Sequence, residues 1–198
     1  METMLTDNSR VFESEMGTPE NELVAAAKRG DLDAFGVLFE MNKNAVYAFV
    51  HKSIGHAQDA EDIVQEVFFR AWKSISSLRS ETKFLSWLYR IAVNLCADRA
   101  RRAKSRSSCS VDAIDNCDLE SIAEPTLGLE DGSVLRCELV TCLQSLPVSQ
   151  RILVVLCDIQ GFTQREAADI IGCSPANVCL KLCSAHKKLR KLLSREVE

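Results

Sequence analysis

Three short stretches of this sequence combine residue types and spacings that could do chemistry. In KFLSWLYRIAVNLCADRARRAKSR, Trp87, Arg90, Asn94 and Arg101 fall on one helical stripe. It lies about 100° around from an apolar stripe of Phe84, Leu88, Ile91 and Leu95, at about 100° per residue. A ring, cations and an amide on one surface suit unstacked bases and a phosphate backbone. Arg99, Arg102, Lys104 and Arg106 extend the positive charge. In DAEDIVQEVFFRAW, Asp62, Glu66 and Phe69 share a face away from the stripe Ile63, Val67, Ala71 and Ile75. An acidic face with one aromatic suits docking by a basic helix of a partner. In GFTQREAADIIGCSPANVCLKLCSAHKKLRKLL, Thr163 and Glu166 form a capping box, and Gly172-Cys173-Ser174 is a turn. Ser174-Pro175 then opens a helix buried through Val178, Leu182, Ala185 and Leu189. Asn177, Lys181, Ser184 and Lys188 remain on another side, which is helix-turn-helix geometry. An αα-hairpin of an unrelated bundle has the same elements and is the competing reading.

Other chemistries lack their residues. No nucleophile, base or phosphate loop stands in a supporting context, so no catalytic residue is expected and the chain reads as a non-enzyme. A dimetal carboxylate site needs Glu-x-x-His pairs on facing helices, and His51 and His56 lack that spacing. The nine cysteines form no C-x-x-C pair. Cys179, Cys183 and His186 do recur at i, i+4 and i+7, with Cys173 just before the helix. Three ligands on one rigid helix fit a tetrahedral ion poorly, so neither metal nor cofactor is expected. No apolar run reaches about 18 residues, and METMLTDNSR has neither the basic start nor the apolar stretch of a signal peptide. A cytoplasmic chain without membrane insertion is the expectation, its cysteines mostly reduced.

The elements that must position these stretches are helical. Of 198 residues, 46% are hydrophobic and 26% charged, enough apolar content for a packed core. Thr18-Pro19-Glu20 reads as a helix start, with Leu23, Ala26, Ala27, then Phe35, Leu38 and Phe39 at helical spacing around a break at Gly30-Asp31. Further helices are predicted over about 42–54, 59–76, 83–104, 134–145, 149–160, 163–171 and 175–193, and no stretch alternates like a strand. The fold class is all-α: an N-terminal extension (1–20), a helical domain (21–104), a flexible acidic linker (105–132) and a second helical domain (133–198). The net charge of −4 divides unevenly. Residues 83–106 hold seven bases and one acid, and 161–198 hold seven bases and four acids. Between them, 107–138 hold eight acids and one base. Two basic blocks on an acidic tether exclude a generic coat for DNA.

Five phrases, in order, resemble the extracytoplasmic-function sigma factors, the two-domain initiation factors of bacterial RNA polymerase. They are ELVAAAKRGDLDAFGVLFE, DAEDIVQEVFFRAW, FLSWLYRIAVNLCADRARR, LPVSQRILVVLCDIQGFTQREAADIIGCS and the spacing of ANVCLKLCSAHKKLRKLL, spanning Glu22 to Leu193. The resemblance implies that Asp59, Glu61, Asp62, Gln65, Glu66, Phe69 and Trp72 dock on the polymerase clamp. It implies that Leu78, Lys83, Trp87, Arg90 and Asn94 capture and hold the melted −10 strand, Leu78 and Asn94 at the base pocket, while Arg99, Arg101 and Arg102 follow the upstream duplex. The helix-turn-helix would read the −35 duplex and touch the polymerase flap, through Thr163, Arg165, Ser174, Asn177, Cys179, Leu180, Lys181, Ser184, His186 and Lys188.

The implied partners are core RNA polymerase, promoter DNA and an anti-sigma protein; an obligate homo-oligomer is not implied. No sensing domain is expected after Leu193, so control would come from that separate protein. One departure stands out. The family commonly places Arg or Lys after the Val matched by Val178, and this chain has Cys179 and Leu180 there. Arginine to guanine is the commonest specific major-groove contact, so −35 readout here differs or is weak. The tether passes a length test: two promoter elements two turns apart lie about 70 Å from one another, and 28 residues reach roughly 90 Å when extended. A helix-turn-helix repressor, dimeric and polymerase-independent, is the rival class.

Overall fold

The structure is a computed structural model that describes residues 19–107, with side chains to 103, and residues 140–193. Among the described residues all regular structure is helical. Helix α1 spans Pro19–Lys28, α2 Leu32–Ile54, α3 Ala57–Ser74 and α4 Phe84–Ser107. Two short 3₁₀ turns, Ile75–Ser77 and Glu81–Lys83, carry the chain from α3 to α4. The predicted capping residue Thr18 lies outside the described residues; of the predicted tether 105–132, residues 105–107 instead continue α4, and 108–132 lie outside the described residues.

Each boundary has a local cause. Asp31 caps α2 by accepting a hydrogen bond from the Ala34 amide at 3.0 Å. Gly55 ends it at φ 91°, left-handed backbone that glycine adopts without strain. A Cβ there would also stand 2.6 Å from Gln144 Nε2, so this glycine admits a close approach from the second half of the chain. The sequence placed a helix start near Asn42, but α2 runs unbroken through it. Buried Asn42 turns its Nδ2 onto the Leu38 carbonyl at 2.9 Å, satisfying its polar group inside the helix.

The stripe Ile63, Val67, Ala71 and Ile75 of α3 is buried as expected. The buried arc of α4 differs. Phe84 and Leu88 are buried with Tyr89, Ala92, Val93 and Cys96, whereas Ile91 and Leu95 are half-buried. This turns the core side by about a quarter of a circle, at about 100° per residue. The extra width arises because α4 packs on two partners, the N-terminal helices and the C-terminal module.

In that module residues 140–144 are helical, α5 spans Val148–Val154, α6 Gln164–Ile171 and α7 Pro175–Leu193. The predicted helix 149–160 widens from an α-helix in its second half. Val155–Ile159 form a π turn, in which Gln160 N–H bonds the Val155 carbonyl at 2.9 Å. Leu143, Leu146, Leu153, Val154, Ala167, Ala168, Val178, Leu182 and Ala185 build the module's own core.

Ile152, Val155, Leu156, Phe162 and Ile170 instead join the core of the N-terminal helices. Across that seam Tyr89 stands edge-on to Phe49 at 5.2 Å and to Phe162 at 4.9 Å. Arg151, 8% exposed, donates to the carbonyls of Ser53 at 3.2 Å, Gln144 at 2.5 Å and Leu146 at 3.1 Å. A guanidinium among carbonyls at helix ends complements their partial negative charge.

Phe49→Ala is expected to lower stability by about 3–5 kcal/mol in urea titrations. Phe69→Ala is expected to change it by about 0.5 kcal/mol or less, because Phe69 is 52% exposed. A comparable loss at both positions would overturn the facing of α3.

Candidate nucleic-acid interface

The stripe of α4 survives with a corrected geometry. Arg90 and Asn94 are exposed, as are Arg101 and Arg102, while Trp87 is half-buried. With Tyr89, Ala92, Val93 and Cys96 facing inward, this stripe lies nearly opposite the core side rather than about 100° from it. Lys83 is exposed at the last 3₁₀ turn. Leu78 is 6% exposed and sits in the core cluster, beneath the α3–α4 connection.

Several cations have protein partners. Arg99 grips Asp59 of α3 through two hydrogen bonds, Nε to Oδ2 at 3.0 Å and Nη2 to Oδ1. This joins a residue implied for DNA to one implied for the polymerase, a pairing the sequence could not reveal across 40 positions. Arg101 pairs with Asp98 three residues before it. Arg90 donates Nε to the Ile170 carbonyl at 3.3 Å and Nη2 to the Asp169 carbonyl, both at the end of α6.

On α3, Glu61, Asp62, Gln65 and Phe69 are exposed and Glu66 is half-exposed, bonded to Arg70 at 2.6 Å. Lys73 caps the Phe69 ring at 4.1 Å. Trp72 departs from this face: it is half-buried, 5.1 Å from the Phe35 ring, and packs against the core. Between α3 and α4, Asp59, Asp62, Glu66, Asp98, Arg99 and Arg102 line a groove together with the apolar Ile63 and Leu95. Lys28 reaches Glu81 at 2.6 Å and holds its carboxyl below the ordinary range, tying α1 to the turn before α4.

The helix-turn-helix forms as its capping signals require. Thr163 accepts from the Glu166 amide at 3.3 Å, and Glu166 accepts from the Thr163 amide at 2.8 Å. Gly172 ends α6 at φ 78°. Exposed along the start and outer face are Thr163, Arg165, Ser174, Asn177, Cys179 and Leu180, the last 71% exposed; Lys181 is half-buried. Ser184 and Lys188 point back to Gln150 of α5, each at 3.2 Å.

His186 bonds Asp158 at 2.7 Å, which withdraws it from the Cys179–Cys183 pair. Those two thiols share a hydrogen bond that pushes the Cys179 thiol up, and no cluster of three metal-type ligands occurs among the described residues. Burial pushes Cys96 up to about 12. It also pushes Cys157 up to about 11, helped by the carboxylates of Asp158 and Glu166.

With both faces placed, the class of the chain follows from its two halves. Residues 38–106 match the family model for sigma-70 region 2, and 138–189 match that for sigma-70 region 4. Over 172 residues the chain is 31% identical to the ECF RNA polymerase sigma factor SigM of Mycobacterium tuberculosis, covering 87% of this chain and 83% of that protein. It is 30% identical over 176 residues to SigW of Bacillus subtilis, covering 86% and 94%. The solved structure of CnrH in complex with the cytosolic domain of CnrY superposes with a TM-score of 0.65 at 28% identity, covering 89% of this chain and 97% of that one. The sigma factor RpoE of Bartonella quintana, in complex with the anti-sigma factor NepR, shares the fold at a TM-score of 0.68 and 24% identity. The chain belongs to the extracytoplasmic-function sigma factors.

Alkylation followed by peptide mapping is expected to modify Cys179 and Cys183 in the native chain while sparing Cys96 and Cys142, because only the first two are exposed. Cys96 also gives stability a sign with pH: its neutral thiol is favoured by folding, so that contribution is complete below the ordinary value of 9.0 and is lost as pH rises toward about 12. Cys96→Ala is expected to flatten that alkaline decline in urea midpoints; an unchanged slope would remove Cys96 as its cause.

Proposed function

We propose that this chain binds core RNA polymerase in the cytoplasm and directs it to promoters, with α4 capturing the melted −10 strand and α7 reading the −35 duplex. The observation that carries this is the match of both halves to sigma-70 regions, joined to an exposed stripe of Arg90, Asn94, Arg101 and Arg102 and a capped helix-turn-helix. Asn94 would read a base edge, Trp87 would stack from its half-buried position, and Arg101 and Arg102 would neutralise phosphates. The acidic face of α3, with Glu61, Asp62, Gln65, Glu66 and Phe69, would meet a basic helical surface of the polymerase clamp, and the helix-turn-helix module its flap. Cys179 and Leu180 offer contact to a thymine methyl rather than the bidentate reach of arginine, so −35 readout would rest on Asn177, Lys181 and shape. Sigma factors are initiation factors, and no reaction is assigned to this chain.

The relatives in solved structures bound to CnrY and NepR support an anti-sigma protein as the controlling partner here. No helix among the described residues is long and apolar enough to cross a membrane.

Run-off transcription with core polymerase on a panel of promoters tests the proposal: transcripts are expected with the chain and not without it, and a panel of responsive promoters yielding none would contradict it. Glu66→Lys and Phe69→Ala are expected to weaken core binding by about tenfold, the effect of roughly 1.4 kcal/mol, with helix content retained. Asn94→Ala and Arg101→Ala are expected to leave core binding intact and to reduce strand opening. The Arg101 variant is expected to show the shallower dependence on salt, having one phosphate contact fewer. Unchanged permanganate reactivity in both would rule out this stripe as the strand-capture surface.

A further inference from the structure

Among the described residues two thiols are exposed, Cys179 and Cys183, one turn apart on α7. The other described cysteines are buried or half-buried, and a covered thiol serves as a small apolar side chain. Packing gives no such account of the exposed pair. Their side chains meet along the helix surface, since residues four apart are neighbours there, and the two thiols hydrogen-bond one another. His186 would be the next polar group on this flank, but its Nε2 stands 2.7 Å from Asp158 Oδ2. Lys187, one turn beyond Cys183, and Arg190 are exposed beside the pair and bring positive charge to it.

We propose that Cys179 and Cys183 form a two-thiolate site for a soft ion of low coordination number, of the Cu(I) class, and that filling it blocks the reading surface of α7. The regulatory half rests on the sigma-factor reading above; the site itself does not. Soft thiolates select soft ions. Structural zinc takes four ligands, and no cluster of even three metal-type ligands occurs among the described residues. Cu(I) is satisfied by two sulfurs. A direct disulfide fits the helix poorly. Cβ atoms four residues apart on a helix are about 5–6 Å from one another, against about 3.5–4.5 Å across a disulfide. One ion about 2.3 Å from each sulfur bridges the wider gap with the helix intact.

Binding exchanges protons and moves no electrons: Cu(I) and two thiols give a copper dithiolate and release two protons. The complex carries one negative charge, which Lys187 and Arg190 offset. Cys179 adjoins Leu180, 71% exposed, on the part of α7 proposed to meet thymine methyls. An anionic complex there repels the phosphate backbone and holds the Cys179 sulfur away from a base edge.

The test titrates the full chain, without oxygen, with Cu(I) held by bicinchoninate, whose loss of colour counts the copper taken up. The native chain is expected to take one equivalent more than Cys179→Ser or Cys183→Ser. That equivalent is expected to be held about a hundredfold or more tightly than by a single thiol, because the second sulfur binds within the same chain. Cys183→Ser combined with Ser184→Cys keeps the number of thiols but sets the two about 140° apart around the helix, and is expected to lose the equivalent as well. Loading the native chain before core polymerase is added is expected to lower run-off transcript by about tenfold, the scale of a lost base-edge contact. Cys183→Ser is expected to give the same output with and without copper. Equal uptake by the native chain and the three variants, copper that joins two chains in gel filtration, or undiminished transcription by the loaded native chain would each overturn the proposal. Absence of transcript from every chain without copper would instead refute the sigma reading, and the titration would still judge the site.

Discussion

Tyr89 is the residue on which the arrangement turns. Its ring is 2% exposed and stands edge-on between Phe49 of α2 and Phe162 of the C-terminal module, and its hydroxyl finds Gln160 at the same seam. A buried aromatic with a satisfied hydroxyl adds specific geometry to the area it removes from water. Fixing Tyr89 fixes the rotation of α4, because side chains on a helix cannot turn independently of its axis. Phe84, Leu88, Ala92 and Cys96 then point inward, and Arg90, Asn94 and Arg101 must point out. The exposed stripe is a consequence of the core it opposes.

Charge pairs set the remaining register. Arg99 and Asp59 join α4 to α3, and Lys28 and Glu81 join α1 to the turn before α4. These pairs are partly exposed, so solvent screening leaves each only a small contribution to stability. Their greater consequence is for function, since Asp59 and Arg99 neutralise one another where the acidic face of α3 meets the basic face of α4. Under the proposed function, a surface of the polymerase and a phosphate backbone would meet at that groove.

Much of this was legible in the sequence because local rules decide it. The capping box at Thr163 and Glu166, the stop at Gly172, the buried stripe of α3 and the exposure of Phe69 all follow from spacing within one or two turns. What could not be read depends on contacts distant in the chain. Nothing local marks Asn42 as a buried helix interior, Trp72 as a partner of Phe35, or Leu78 as core. The angle between the two stripes of α4 was misjudged for the same reason. Ile91 and Leu95 look as apolar as Tyr89 and Val93, and only docking of the second module decides which are covered. His186 lay in register with Cys179 and Cys183, but Asp158, 28 residues earlier, takes its ring. The residues 108–139, where the acidic tether and the start of the second domain were expected, lie outside the described residues, as do 1–18.

The account holds that two separated DNA-facing surfaces become effective only on the polymerase. Permanganate footprinting of a responsive promoter, with this chain alone and with core polymerase, tests that claim most directly. The account predicts unpaired, reactive thymines in the −10 element only when both are present, with weak duplex binding by the chain alone. Tight, sequence-specific binding to a palindromic site without polymerase, and no opening when polymerase is added, would contradict it.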